Sequence, residues 1–137
     1  LEGQTSASFQ ITTNDLPSTA TATISATLGA LTANALLEVR APGVEFIRFN
    51  PTVIKGGRPV QCIIRLESPA PAGGAVVTLT KSGNTAILNI PSQVTVPAGQ
   101  MQHVFTVTTN RVSRSLAVQV TATRGSGSAS TILTVRR

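Results

Sequence analysis

The sequence predicts an all-β protein: a seven-strand antiparallel sandwich preceded by the last three strands of a second, incomplete copy. Three observations point there. Apolar residues nowhere recur at i, i+3, i+4, i+7 over a sustained stretch, so no amphipathic helix is expected. Short runs rich in Val, Ile and Thr alternate apolar with polar and are broken by Gly, Pro and Asn, as half-buried strands are. The chain also repeats itself. LEGQTSASFQITTN at 1–14 aligns without a gap on PAGQMQHVFTVTTN at 97–110, and the match runs on at an offset of 96 to Val39/Val135. Twelve of 39 positions are identical, including Phe9/Phe105, Asn14/Asn110, Gly29/Gly125 and Leu37/Leu133, so one structural unit occurs twice.

A repeat of about 96 residues matches one sandwich domain in size. The expected division is a C-terminal part of one repeat at 1–40, a linker Ala41-Pro42-Gly43 at 41–43, and a complete repeat at 44–137. In the complete repeat the first strand spans 44–53, with Pro51 bending or interrupting it because proline cannot donate to a ladder. The second spans 59–67, with Val60, Cys62, Ile64 and Leu66 on one face and Gln61, Ile63, Arg65 and Glu67 on the other. Proline and paired glycines make 68–74 a loop. The third strand is 75–81, Ser82-Gly83-Asn84 is a turn, and the fourth strand is 86–90. Residues 91–96 read as a semi-extended link. The fifth strand, 102–109, alternates His103, Phe105 and Val107 against Val104 and Thr106. The sixth, 116–124, turns Leu116, Val118, Val120 and Ala122 inward. A flexible turn from Arg124 to Ser128 leads to the seventh, 130–136, with Leu133 and Val135 inward. Segment 1–40 then supplies equivalents of the fifth, sixth and seventh strands. Its Phe9, Ile11, Ile24, Leu36, Leu37 and Val39 belong to a core that the segment alone does not close.

Composition narrows the function classes. The chain of 137 residues is 41% hydrophobic, 3% aromatic with no Trp or Tyr, and 12% charged, with 32 Ser and Thr. That supports a packed core rather than disorder. No apolar run approaches the ~18 residues of a membrane span. No basic region followed by an apolar stretch opens the sequence, so no signal peptide is expected within it. One cysteine, Cys62, excludes an intrachain disulfide and a cysteine zinc site. With one histidine and five acidic residues, little is left for catalysis. His103 has no readable Ser, Asp or Cys partner to act with as a base. Cys62 reads as a buried thiol serving as a small hydrophobe. Gly125-Ser126-Gly127-Ser128 lacks the strand–helix context of a phosphate loop and reads as a turn. The aromatic platforms of sugar-binding modules are missing.

Three strings carry a family resemblance: LESPAPAGGAVVTL at 66–79, IPSQVTVPAGQMQHVFTVTTN at 90–110 and VTATRGSGSASTILTV at 120–135. They resemble the bacterial immunoglobulin-like repeats that occur in tandem in secreted and cell-surface proteins. The resemblance implies an immunoglobulin-like β-sandwich used as spacer, stalk or adhesive module. Immunoglobulin domains often join the second and sixth strands by a disulfide; here the sixth-strand positions are Val118 and Val120, consistent with a free Cys62. The PAGQ segment is also similar to the calcium-binding Calx-β domains. Calcium needs six to eight oxygen ligands, and the complete repeat has only Glu45 and Glu67, so no metal or other cofactor is expected.

The net charge is +6, and it is unevenly placed. Residues 1–43 carry Glu2, Asp15, Glu38 and Arg40; residues 44–137 carry ten cations against two carboxylates. Sandwich topology puts alternate connections at one pole. Lys55 and Arg58, Lys81, Arg111 and Arg114, and Arg136 and Arg137 are therefore expected together at the end bearing the C-terminus. Such a basic pole suits an acidic neighbour or an anionic polymer. Stacking aromatics and a groove-reading element are missing, so nucleic acid is not the expected partner. The sequence reads as a non-catalytic repeat, a structural spacer or adhesive module of a larger extracellular or cell-surface protein. Its partners would be neighbouring repeats or other chains, with self-association through 1–40 as one route. The alternatives are a self-assembling fibre or surface-layer subunit joined by strand complementation, and an accessory domain of a secreted enzyme.

Overall fold

The computed structural model describes residues 2–14, 16 and 18–137. Leu1, Asp15 and Pro17, which fall in the expected segment 1–40, lie outside the described residues. β1 (Ala20–Leu28) and β2 (Leu31–Val39) pair only with each other, as an antiparallel ribbon. The rest of the chain forms two facing sheets. One takes β3 (Val44–Asn50), β5 (Pro59–Leu66), β9 (Gln102–Thr109) and β7 (Leu88–Asn89), in the order β3-β5-β9-β7. The other takes β4 (Val53–Lys55), β11 (Gly127–Arg136), β10 (Leu116–Arg124), β6 (Ala75–Gly83) and β8 (Gln93–Val96), in the order β4-β11-β10-β6-β8. Every pairing is antiparallel except β4 with β11. Two layers joined in this order make an immunoglobulin-like sandwich.

Strand alternation produces the core directly. Val60, Cys62, Ile64 and Leu66 of β5 face Val77 and Leu79 of β6, Val118, Val120 and Ala122 of β10, and Leu133 and Val135 of β11 as one buried cluster. Ile63 lies on the other face of β5 yet is only 8% exposed. Its register partners, Arg48 of β3 and Val104 of β9, flank it and shield it across the sheet.

Several elements differ from the sequence reading. The expected strand 44–53 divides at Pro51 into β3 and β4, which join opposite sheets. The expected fourth strand, 86–90, contracts to a 3-10 turn, Thr85–Ile87, and the two residues of β7. The expected link 91–96 contains β8, whose Val94 and Val96 pair with Val77 and Ala75. Pro91, which cannot donate, sits where the chain leaves one ladder for the other, so no hydrogen bond is lost there.

The expected fifth-strand equivalent, the first of the three in segment 1–40, is not formed, and residues 6–13 carry no regular structure. Their equivalent, β9, bonds to β5 and β7 in the sheet opposite β10 and β11. Residues 1–40 contain no counterpart of β5 or β7, so 6–13 have no ladder to join. The other two strands match β10 and β11 pair for pair. Ala20↔Val39 through Leu28↔Leu31 repeat Leu116↔Val135 through Arg124↔Gly127 at the constant offset of 96. Both ribbons turn through two residues, with Gly29 (φ 60°) and Gly125 (φ 58°) first, where this hairpin class needs positive φ. Leu36, expected in a core, lies on the polar face of β2 and is 80% exposed. Its equivalent in β11, Ile132, is exposed too.

The expected flexible turn at Arg124–Ser128 is tight, and Arg124 is buried at 7% exposure. It continues the inward series Val118, Val120, Ala122. Beside it the backbone of Pro42-Gly43 closes the end of the sandwich. A Cβ on Gly127 would lie 2.7 Å from Gly43 Cα, so glycine permits this approach. Gly127→Ala is expected to destabilise the chain by about 1–3 kcal/mol through overpacking, measured by urea unfolding. Burial pushes the Cys62 thiol from 9.0 up to about 12. The neutral thiol thus contributes stability in full below pH 9, and this is lost as pH rises toward 12. The unfolding free energy of the natural chain minus that of Cys62→Ala is expected to decline over that interval; a flat difference would contradict a buried thiol.

Candidate functional site

The connections at the C-terminal pole are tied to one another by backbone. Thr109 donates from both its amide and its Oγ1 to the carbonyl of Arg58, at 3.3 and 2.7 Å. Asn110 donates its amide to Ile87 O at 2.9 Å and its Nδ2 to Ala86 O at 2.6 Å. Gly56 N donates to Arg136 O at 2.8 Å. A Cβ on Gly56 would lie 2.8 Å from Asn110 O, so the β4–β5 turn can sit this close only with glycine there. These bonds account for the Thr-Thr-Asn identity in the repeat: Thr109 and Asn110 fasten two neighbouring turns to the end of β9.

Between the fastened turns lies a cleft of about 530 Å3 lined by Lys55, Gly56, Gly57, Arg58, Arg111, Val112 and Arg137. Four of the seven expected basic residues therefore meet, from three separate segments. The other three do not. Lys81 is turned away, its Nζ donating to Leu88 O at 2.8 Å and Thr85 O at 3.1 Å, where it holds the 3-10 turn. Arg114 and Arg136 are exposed outside the cleft lining.

Among the described residues no carboxylate forms an ion pair in the cleft. Among the described residues the ion pairs are Arg40–Glu38 at 2.9 Å and Arg65–Glu45 at 2.8 Å. Glu45 and Glu67, the only acids of 44–137, both lie at the opposite pole, where Glu67 Oε2 accepts from Gly43 N at 3.0 Å. At the offset of 96, Arg111, Arg114 and Arg137 correspond to Asp15, Ser18 and Ala41. Cations at these positions are not a fixed feature of the repeat.

The opposite pole holds two residues that sequence reasoning passed over. Arg124 Nη1 donates to Pro42 O at 3.2 Å, while its Nε is buried without a partner. With Glu67 on Gly43, the linker is gripped from both sheets. The available signal was a charged residue at the end of an inward-facing series, where the other copy has Leu28.

The candidate catalytic groups form no machinery. His103 stacks on Phe105, centroids 5.6 Å apart at 19°, and its register partner is Ile64. Cys62 is fully buried, with a thiol shifted away from the thiolate that a nucleophile needs. Among the described residues no three His, Cys, Asp or Glu side chains gather as a metal site, and no helix is long and apolar enough to cross a membrane.

No protein-family model matches the chain, and no curated protein matches it. Among solved structures it is similar to the D00-D0 domain of Intimin, with 17% identity and a TM-score of 0.47 over 84% of this chain and 64% of that one. The chain thus spans just under two thirds of that structure's length.

Proposed function

We propose that the chain is a non-catalytic immunoglobulin-like repeat, a spacer or adhesive module in a larger secreted or cell-surface protein. The carrying observation is the gripped linker. Pro42 and Gly43 are buried, with Arg124 on the carbonyl of one and Glu67 on the amide of the other. A module that holds neighbours at a set distance needs a stiff joint, and backbone fixed by two side chains supplies one. This reading places the joint between the two units at 41–43. Residues 44–137 alone are expected to unfold in one cooperative transition and to remain monomeric in light scattering. Loss of cooperativity would reject the boundary. Glu67→Ala is expected to speed hydrogen exchange at the Gly43 amide and to broaden the distance distribution seen by small-angle scattering. An already broad distribution in the natural chain would reject the spacer role.

The uncompensated cleft favours a second role for the same module, contact with an anionic polymer. Each exposed cation contributes ~1 kcal/mol at most, and less at high salt. The double substitution Arg58→Glu and Arg111→Glu is therefore expected to weaken binding of a sulfated polysaccharide by about tenfold or more at low salt. Lys81→Glu, outside the cleft, serves as the control. Equal losses from the two variants, measured by calorimetric titration, would reduce the cleft to a generally charged surface.

A further inference from the structure

We infer that the β1–β2 ribbon is the closing hairpin of another sandwich, and that its apolar face is built to be covered by an antiparallel sheet of the β3–β5–β9 kind, lying N-terminal to it in the same polypeptide. The inference rests on the repeat reading above and names the partner it requires.

The ribbon's two faces differ sharply. Its pairing register puts the even-numbered residues of β1 and the odd-numbered residues of β2 on one side. All ten of those positions hold Ala, Ile, Leu or Val. The other side is Thr, Ser, Asn and Glu, with Leu36 the exception. The same positions in β10–β11 are the inward ones. Val118, Val120, Ala122, Leu133 and Val135 are all fully buried there, beneath β3, β5 and β9. In the ribbon, Ile24 and Leu37 are half-covered while Leu28 and Leu31 stand 83% and 77% exposed. A two-stranded ribbon is at best marginally stable in water without such a cover. The occupant of this face is thus seen, in the same molecule, on its registered copy.

A second observation concerns residues before the ribbon. Ile11 to Asn14 and Leu16 border a hollow with Ala20, Ala22, Leu37 and Val39, so the β9-equivalent segment lies on the apolar side, where the covering sheet belongs. It also keeps Thr12-Thr13-Asn14. In the complete repeat Thr109 and Asn110 bind the carbonyls of Arg58 and Ala86. Residues 1–40 hold no counterpart of either turn, so this Thr-Asn pair is shaped for turns that a covering unit would bring. A second copy of the chain does not fit as occupant, because its own β3–β5–β9 sheet is already covered by β10 and β11.

The test is to place residues 44–96 directly ahead of residue 1, which completes the repeat at the offset of 96 without a junction. The probe is amide hydrogen exchange across β1–β2 and residues 6–13. In the natural chain these amides are expected to exchange fast at all concentrations. In the extended chain they are expected to slow at least a hundredfold, with a second unfolding transition, and Ile24→Asp is expected to abolish both gains. Two tandem copies of 44–137 provide the control for folding of the added segment. If the control gains a second folded unit and the extended chain does not, the inference is overturned while the spacer reading stands. If neither does, the domain boundary fails and takes the inference with it. If the ribbon of the natural chain is already protected, with a mass that rises with concentration, the face is covered by a second copy and the inference is likewise overturned.

Discussion

An antiparallel ribbon with one apolar face and one polar face must bury the apolar one, and this constraint organises the whole molecule. In β10–β11 it is met: Val118, Val120, Leu133 and Val135 press against Cys62, Ile64 and Leu66 across the sandwich. At ~25 cal/mol per Å2 of apolar surface removed from water, such contacts are the main source of stability in a domain of this size. In β1–β2 the same pattern is present without the cover, and the consequences are visible. Leu28 and Leu31 stand in solvent, Ile24 and Leu37 are only half-covered, and residues 6–13 form no strand. Register alone does not make a sandwich. The second sheet is what converts alternation into a core.

The two poles of the sandwich treat charge in opposite ways. At the linker pole, charge is used internally. Glu45 pairs with Arg65, Glu67 holds Gly43, and Arg124 is drawn under Pro42 at the cost of an unpartnered Nε. Burying a guanidinium with incomplete hydrogen bonding is unfavourable by itself. Leu28 occupies the matching position in the other copy, so the fold does not demand the charge. Arg124 therefore makes sense as a linker clamp rather than as core. At the C-terminal pole the cations face solvent around a cleft with no ion pair among the described residues, and backbone bonds together with the Thr109 and Asn110 side chains hold the neighbouring turns.

Much of the fold was legible because its strands obey a strict period of two. β5, β9 and β10 fall within a residue of their expected limits, since each turns every second side chain toward the core with mostly polar residues between, Ile63 and Val104 being the large exceptions. The repeat added what propensity does not contain, the pairing of β1 with β2 in a fixed register. The failures share a cause. β7 and β8 are short edge strands whose existence depends on neighbours contributed from far along the chain. Residues 6–13 have the alternation of a strand and lack the neighbours. Arg124 looks like a solvated turn residue until the Pro42 backbone is placed above it. For the basic residues, only the general rule that alternate connections share an end was legible. Which cations line the cleft was not: the diversion of Lys81 depends on the 3-10 turn, whose carbonyls point at its ammonium group and whose sequence, Thr85-Ala86-Ile87, carries no mark of it.

Comparing the two copies position by position separates what the fold requires from what it tolerates. Seven of the ten inward positions of the closing hairpin stay apolar at the offset of 96, and Gly29/Gly125 and the Thr-Asn pair are identical, although only 12 of 39 residues are. These are the positions where the structure shows burial, positive φ or a backbone bond to a neighbouring turn. Positions that change include several at the C-terminal pole, where Asp15, Ser18 and Ala41 stand against Arg111, Arg114 and Arg137. None of these side chains in the complete repeat supports a turn or enters the core. Differences at residues the sandwich does not use, unlike the Leu28/Arg124 change in its interior, are free to serve what lies beyond it. Arg111, Arg114 and Arg137 are thus additions that the sandwich itself does not require, and they change the chemistry of this pole without changing the packing beneath it.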